Sequence, residues 1–108
     1  MQWCELQSRK YPELSLMFAI PNGGQRSITT AGKLKKEGVK AGVPDLHLPV
    51  ARGEYHSLFI EMKAGKNKPT KLQVAMMEAL EKVGNKCVVC YGAKEAIEAT
   101  LEYLGGDY

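Results

Sequence analysis

At 108 residues the chain has room for one hydrophobic core and not for two, so a single domain spanning 1–108 is expected. Hydrophobic residues at 44% and charged residues at 25% suit a soluble globular protein, and no apolar run approaches the roughly 20 residues that cross a bilayer. Net charge is only +3, and three cysteines, an odd number without a basic-then-apolar leader before them, point away from a disulfide framework and toward a cytoplasmic, reducing setting.

Trp3, Cys4 and Leu6 among the polar residues of Met1–Tyr11 read as a short helix that stops before Pro12. Leu16–Ile20 is a compact apolar run closed by Pro21-Asn22-Gly23-Gly24, the profile of a buried strand leaving into a turn. Ser27 or Thr29 could cap a helix running to Glu37, with Gly38 as its stop. The stretch Gly38–Gly42 then gives a flexible approach to Pro44, which forces Val43 into an extended conformation and delivers Asp45 at a strand start. Leu46–Val50 and Tyr55–Met62 make an antiparallel hairpin around Ala51–Glu54.

After the polar loop Ala64–Pro69, Thr70 and Gln73 stand at capping-box spacing. They open a helix that turns Leu72, Ala75, Met76, Ala79, Leu80 and Val83 inward and ends at Gly84. Lys86–Tyr91 is a further strand, and Ala93–Leu104 a last helix with Ala96, Ile97, Thr100, Leu101 and Leu104 inward. Strands separated by helices imply an α/β fold, a mixed β-sheet flanked by helices.

Two features carry chemistry. Side chains alternate along a strand, so Glu61 and Lys63 share one face and Met62 takes the other. If Asp45 lies on the Glu61 face, two carboxylates and an ammonium converge, enough to hold a divalent cation and activate water against a phosphodiester. Leu58, Phe59, Ile60 and Met62 make this strand buried on both faces, where a lone carboxylate is costly unless paired or metal-bound. Singly, Asp45 could cap a turn, Lys63 could be a plain ion-pair partner, and Gln73 could be no more than a capping residue. The second feature is charge. Between Asn22 and Gly42, Arg26, Lys33, Lys35, Lys36 and Lys40 stand against Glu37 alone, a local balance of +4. That block is either a solvated helix face or a surface that draws a polyanion toward the acids.

Cys87-x-x-Cys90 lacks two further ligands at zinc spacing, with only Cys4, His47 and His56 in reserve. Cysteines three apart on a strand also point to opposite faces, so both read as core thiols, and the histidines as strand-surface residues.

Pro44-Asp45, followed after a hairpin by Glu61-x-Lys63, resembles the PD-(D/E)XK nuclease signature. The patches IPNGGQR (Ile20–Arg26), AGKLKKEGVKAGVPDL (Ala31–Leu46), LFIEMKAGK (Leu58–Lys66) and Thr70-x-x-Gln73 narrow this. With them, the chain resembles the VRR-NUC group of small phage and bacterial nucleases. The resemblance implies a restriction-endonuclease-like core and cleavage that leaves a 5′-phosphate. It implies Mg²⁺ or Mn²⁺ held by Asp45, Glu61 and the Met62 backbone carbonyl. Lys63 would orient or deprotonate the attacking water or stabilise the transition state, and Gln73 would reach the site from the following helix. In the family an acid on the first helix often completes the metal site. Glu5 is the only acid there in this chain, so either it substitutes or the site is one acid short. Asn22 and Arg26, with Lys33, Lys35, Lys36 and Lys40, are the expected DNA contacts.

The leading expectation is a metal-dependent, structure-specific DNA endonuclease, in the form of a homodimeric Holliday-junction-type resolvase, with no nucleotide cofactor and no membrane partner. A nickase or flap nuclease is a close variant. No helix-turn-helix or zinc finger is present to read bases, so recognition would rest on shape and backbone. Two other readings stand beside it: a non-catalytic module that binds branched DNA, and a partner-binding α/β domain whose ExK strand is incidental.

Overall fold

Four strands, Phe18–Ala19 (β1), Leu46–Leu48 (β2), Leu58–Lys63 (β3) and Lys86–Tyr91 (β4), form one sheet in the order β1-β2-β3-β4. The β1/β2 and β2/β3 pairs are antiparallel and the β3/β4 pair is parallel, so the sheet is mixed. Helix α1 (Lys71–Lys82) makes the crossover that a parallel pair requires, and α2 (Ala93–Leu104) follows β4. The structure is a computed structural model that describes residues 3–4, 9–21, 38 and 40–105. The expected helix ending at Glu37 lies outside the described residues, and of the N-terminal helix only Trp3 and Cys4 are described, both helical.

Strand β3 lies between β2 and β4, and Leu58, Phe59, Ile60 and Glu61 are all buried, as its unbroken apolar run implies. Leu58 and Ile60 point into the main core with Leu14, Leu48, Cys90 and Tyr103, on the side covered by α2. Each such side chain contributes about 1.5–3 kcal/mol by leaving water. Alternation sends Phe59, Glu61 and Lys63 to the other face. There α1 packs through Met77, whose carbonyl accepts from the Sγ of Cys87, the register partner of Phe59.

Several expectations shift for local reasons. Strand β2 stops at Leu48 because Pro49 has no N–H to give to a ladder. Tyr55 pairs only with Arg52 across Gly53-Glu54, and the His56 N–H turns away to the Gly84 carbonyl at 2.8 Å, so β3 begins at Leu58. Pro12 opens a 3₁₀ turn, Pro12–Leu16, whose Leu14 is buried. Strand β4 and helix α2 have the expected bounds, and Gly105 ends α2 in the left-handed conformation. Tyr103 of α2 adds an unexpected anchor, burying its ring while its hydroxyl donates to the Val50 carbonyl at 2.6 Å.

Helix α1 opens with the expected capping box: the Gln73 N–H donates to Thr70 Oγ1 at 3.2 Å, and the Thr70 N–H donates to Gln73 Oε1 at 2.9 Å. Its inward face is different. Gln73, Met76, Met77 and Leu80 turn in, while Leu72, Ala75, Ala79 and Val83 remain exposed. The helix carries apolar residues on both sides, so periodicity alone does not choose between them; the contact with β4 does. Among the described residues no helix is long and apolar enough to cross a membrane.

The approach to Pro44 is held by Gly42 rather than loosened by it. Gly42 has φ +86, and a Cβ there would lie 2.9 Å from both the Leu72 Cγ and the Leu72 carbonyl oxygen. Only glycine fits both the backbone angle and the close contact. Gly42→Ala is expected to cost about 1–3 kcal/mol of stability, read from urea unfolding, through strain and overpacking together.

Candidate active site

The antiparallel register sets the site. Leu46 pairs with Ile60 and His47 with Phe59, which puts Asp45 opposite Glu61, on the face away from Leu46 and Ile60. Asp45 Oδ2 accepts from the Met62 N–H at 2.8 Å, extending the β2–β3 ladder one step beyond the end of β2. From the other side the Ile20 N–H donates to the Asp45 carbonyl at 2.7 Å. Asp45 is thereby fixed by the segments on both sides of it, and its carboxyl is hydrogen-bonded to that of Glu61.

Glu61 is 2% exposed. Burial above all, then the hydrogen bond to Asp45 and the charge of Asp45, push its carboxyl from the ordinary 4.5 up to about 7, against the pull of the Lys63 ammonium. Its Oε2 is buried with no hydrogen-bond partner. An orphaned oxygen on a carboxyl whose ionisation is opposed by burial and by a second carboxyl is a costly arrangement in a strand interior. A divalent cation in place of the proton would relieve it, and two carboxylates are the hard oxygen donors that Mg²⁺ or Mn²⁺ prefers. Asp45 and Glu61 therefore fit such an ion. Among the described residues no group of three or more His, Cys, Asp and Glu side chains converges.

Lys63 is half-buried on the Glu61 face and acts on Glu61 through its charge. Met62 reaches the pair through its backbone. Gln73 is engaged in the capping box through Oε1, and the Gly42–Leu72 contact sets the first turn of α1 beside the segment leading to Asp45. Lys40 is exposed. Glu5, Asn22, Arg26, Lys33, Lys35 and Lys36 lie outside the described residues.

His47 is a packed polar residue. It stacks on Phe59 with centroids 4.1 Å apart, and its Nε2 is 3.0 Å from Ser57 Oγ, which itself donates to Asn85 Oδ1 at 2.6 Å. Cys87 faces α1 and Cys90 the core, both free thiols raised by burial, Cys87 to about 11.

Sequence reasoning passed over Lys66 and Lys68, both exposed in the loop that leaves β3 after Lys63. The signal was present, since Lys63 to Lys71 holds four lysines and no acid. Among the described residues, cavities lie elsewhere, one of about 350 Å³ bounded by Arg52, Tyr55, Lys86 and Tyr103, another of about 240 Å³ bounded by Trp3, Met17, Ile60 and Met62.

The Glu61 shift has a consequence for the metal-free protein. Between the ordinary value of 4.5 and about 7 the folded chain holds a proton at Glu61 that the unfolded chain has released. Stability from this group is therefore present in full below pH 4.5 and is lost as pH rises through about 7, an effect of about 3 kcal/mol. In EDTA, urea unfolding is expected to show this loss between pH 5 and 8 for the native chain and not for Glu61→Gln, whose amide can replace the protonated carboxyl. Equal slopes for the two proteins would contradict it.

Comparison with known proteins agrees with this architecture. The family model for the VRR-NUC domain matches residues 3–94, a span that contains Asp45, Glu61, Lys63 and Gln73. A solved structure, a VRR_NUC domain protein, shares the fold with a TM-score of 0.78 at 34% identity, covering 96% of this chain and 84% of that one. No curated protein matches the sequence significantly. A mixed four-stranded sheet with helices on both faces, matched over most of its length in sequence and in structure, makes this chain a member of the VRR-NUC family of nuclease domains.

Proposed function

We propose that the chain is a metal-dependent DNA endonuclease that hydrolyses phosphodiester bonds in branched DNA and acts as a homodimer. The observation that carries this reading is Glu61, a carboxyl 2% exposed with an unpartnered oxygen, set against Asp45 and Lys63. Stability does not call for such a group, because a hydrophobic side chain of similar size is often more stable at a buried ionic position.

Asp45 and Glu61 would hold Mg²⁺ or Mn²⁺, with the Met62 carbonyl as a further oxygen donor. When bound, the ion supplies positive charge at the scissile phosphate and a more acidic water. Lys63 offers a compact positive charge on the same face, suited to the charge that develops on the phosphate or to holding the attacking water. With Oε1 bonded to Thr70, Gln73 presents its amide N–H groups as donors. Lys66 and Lys68, with Lys40 and the block Asn22, Arg26, Lys33, Lys35 and Lys36, supply phosphate contacts that position DNA without reading its sequence. Two copies related by a two-fold axis would present two such sites to opposite strands of a four-way junction.

A non-catalytic branched-DNA-binding module is the second reading, favoured by the convergence of only two carboxylates among the described residues. Cleavage of labelled four-way junction, flap and linear duplex in Mg²⁺, Mn²⁺ or EDTA separates the two. Metal-dependent cutting is expected, reduced at least about a hundredfold by Asp45→Ala while DNA binding persists. The ranking of substrates distinguishes resolvase from flap enzyme. Tight binding without cutting in either metal would overturn the endonuclease. Sedimentation should give twice the 11.9 kDa chain mass; a monomer under cleaving conditions would remove the paired-site model.

A further inference from the structure

We propose that Tyr91 is a stacking platform for an unpaired nucleobase of the DNA strand that passes the candidate active site. The nature of the ligand rests on the nuclease reading; the platform itself rests on geometry.

Tyr91 is the register partner of Lys63, and Val89, two residues earlier, is that of Glu61. In neighbouring strands, register partners project to the same face, so Tyr91 leaves the sheet on the side of Lys63 and Glu61. It is 37% exposed, so part of the residue stands in water on the face of Lys63 and Glu61.

What distinguishes Tyr91 is that it is exposed and yet tethered, its backbone by one contact and its ring by another. Its backbone N–H donates to Glu95 Oε1 at 3.0 Å, within the first turn of α2. Its hydroxyl donates to the Asn67 carbonyl at 2.9 Å, in the loop between β3 and α1. A side chain already immobilised loses little conformational entropy when a ligand arrives, which is how rigid tyrosines gain affinity at binding surfaces. The Glu95 carboxylate beside it faces the positive end of α2 and the Tyr91 N–H, so the negative charge there is compensated.

The loop pinned by the hydroxyl supplies the rest of a single-strand site. It carries the exposed Lys66 and Lys68 within a run, Lys63 to Lys71, of four lysines and no acid. A basic track for phosphates beside an aromatic face for bases is the combination that holds single-stranded nucleic acid. Every base has a π-face, so such a site selects an unpaired nucleotide rather than a sequence. A base inside a duplex is already stacked and paired, whereas one at a flap or branch point is free to transfer. Tyr91 would then favour substrates with a splayed nucleotide next to the cut.

The test uses the full chain in EDTA, where no cutting occurs, with a 5′-flap DNA carrying 2-aminopurine at the unpaired nucleotide nearest the branch. A fully paired duplex with the same label is the reference. Tyr91→Phe keeps the ring and removes the hydrogen bond to Asn67; Tyr91→Leu keeps apolar bulk and removes the ring. Thermal melting checks that both variants are folded. The native chain and Tyr91→Phe are both expected to quench the flap fluorophore, Tyr91→Phe binding the flap a few-fold more weakly because the ring is no longer pinned, while Tyr91→Leu loses the quenching and about tenfold in flap affinity. Affinity for the paired duplex should change less than about twofold in either variant. Equal losses in both variants would overturn the proposal and make Tyr91 only a clasp for the loop. Binding of flap without quenching by the native chain, or no binding at all, would also overturn it. Cleavage in Mg²⁺ is scored separately, so quenching without cutting keeps the platform and removes the nuclease, and cutting without quenching does the reverse.

Discussion

Glu61 lies in a strand bordered on both edges, where water does not reach its carboxyl, and the nearest acid stands across the ladder at Asp45. Two ionised carboxylates in hydrogen-bond contact there would suffer both desolvation and mutual repulsion. Something positive has to stand between them, and a proton or a divalent cation are the available choices. The proton satisfies one contact and leaves Oε2 orphaned; a cation can take oxygens from both residues. The site is thus built around a deficit of positive charge, and Lys63 meets it only in part.

The surrounding fold works to keep that deficit in place. Leu58 and Ile60, both fully buried, alternate with Phe59 and Glu61, so the burial that anchors β3 on one face forces the acid to stay on the other. Asp45 is tied to the Met62 N–H on one side and to the Ile20 N–H on the other. Its approach is narrowed by Pro44, which is buried, and by Gly42, which packs against the backbone of Leu72. An unfavourable pair persists because relaxing it would unpack the centre of the sheet, the usual way in which a functional site stores a cost that the rest of the molecule offsets.

Around this centre the polar chemistry is arranged at the ends of elements. The carboxyl pair, Lys63 and Tyr91 lie toward the C-terminal ends of the parallel strands β3 and β4, and the capped start of α1 approaches through Leu72. The exposed lysines of the β3–α1 loop leave directly from that edge. The loop lysines remain solvated, while the Glu61 carboxyl is withdrawn from water. Exposed cations and a buried carboxyl differ in hydration, so they occupy adjacent but distinct environments.

Much of this was legible in the linear chain because it depends on neighbours in sequence. Strand β4 and helix α2 follow from unbroken apolar patterns closed by glycine, the capping box from Thr70 and Gln73, and the shared face of Glu61 and Lys63 from alternation. The sequence by itself determined which residues carry charge into the buried strand, and its motifs are those of the family to which the chain belongs. Tertiary structure decided what those residues meet. Asp45 stands opposite Glu61 only because the β2–β3 register, with β2 cut short at Pro49, places it there. Helix α1 buries Met77 rather than Leu72 because it rests on β4, and Tyr91 is tied to the β3–α1 loop because Asn67, distant in sequence, accepts its hydroxyl. Periodicity records the direction in which a side chain points along its own element; the identity of its partner is a property of how elements are paired, and no local pattern encodes it.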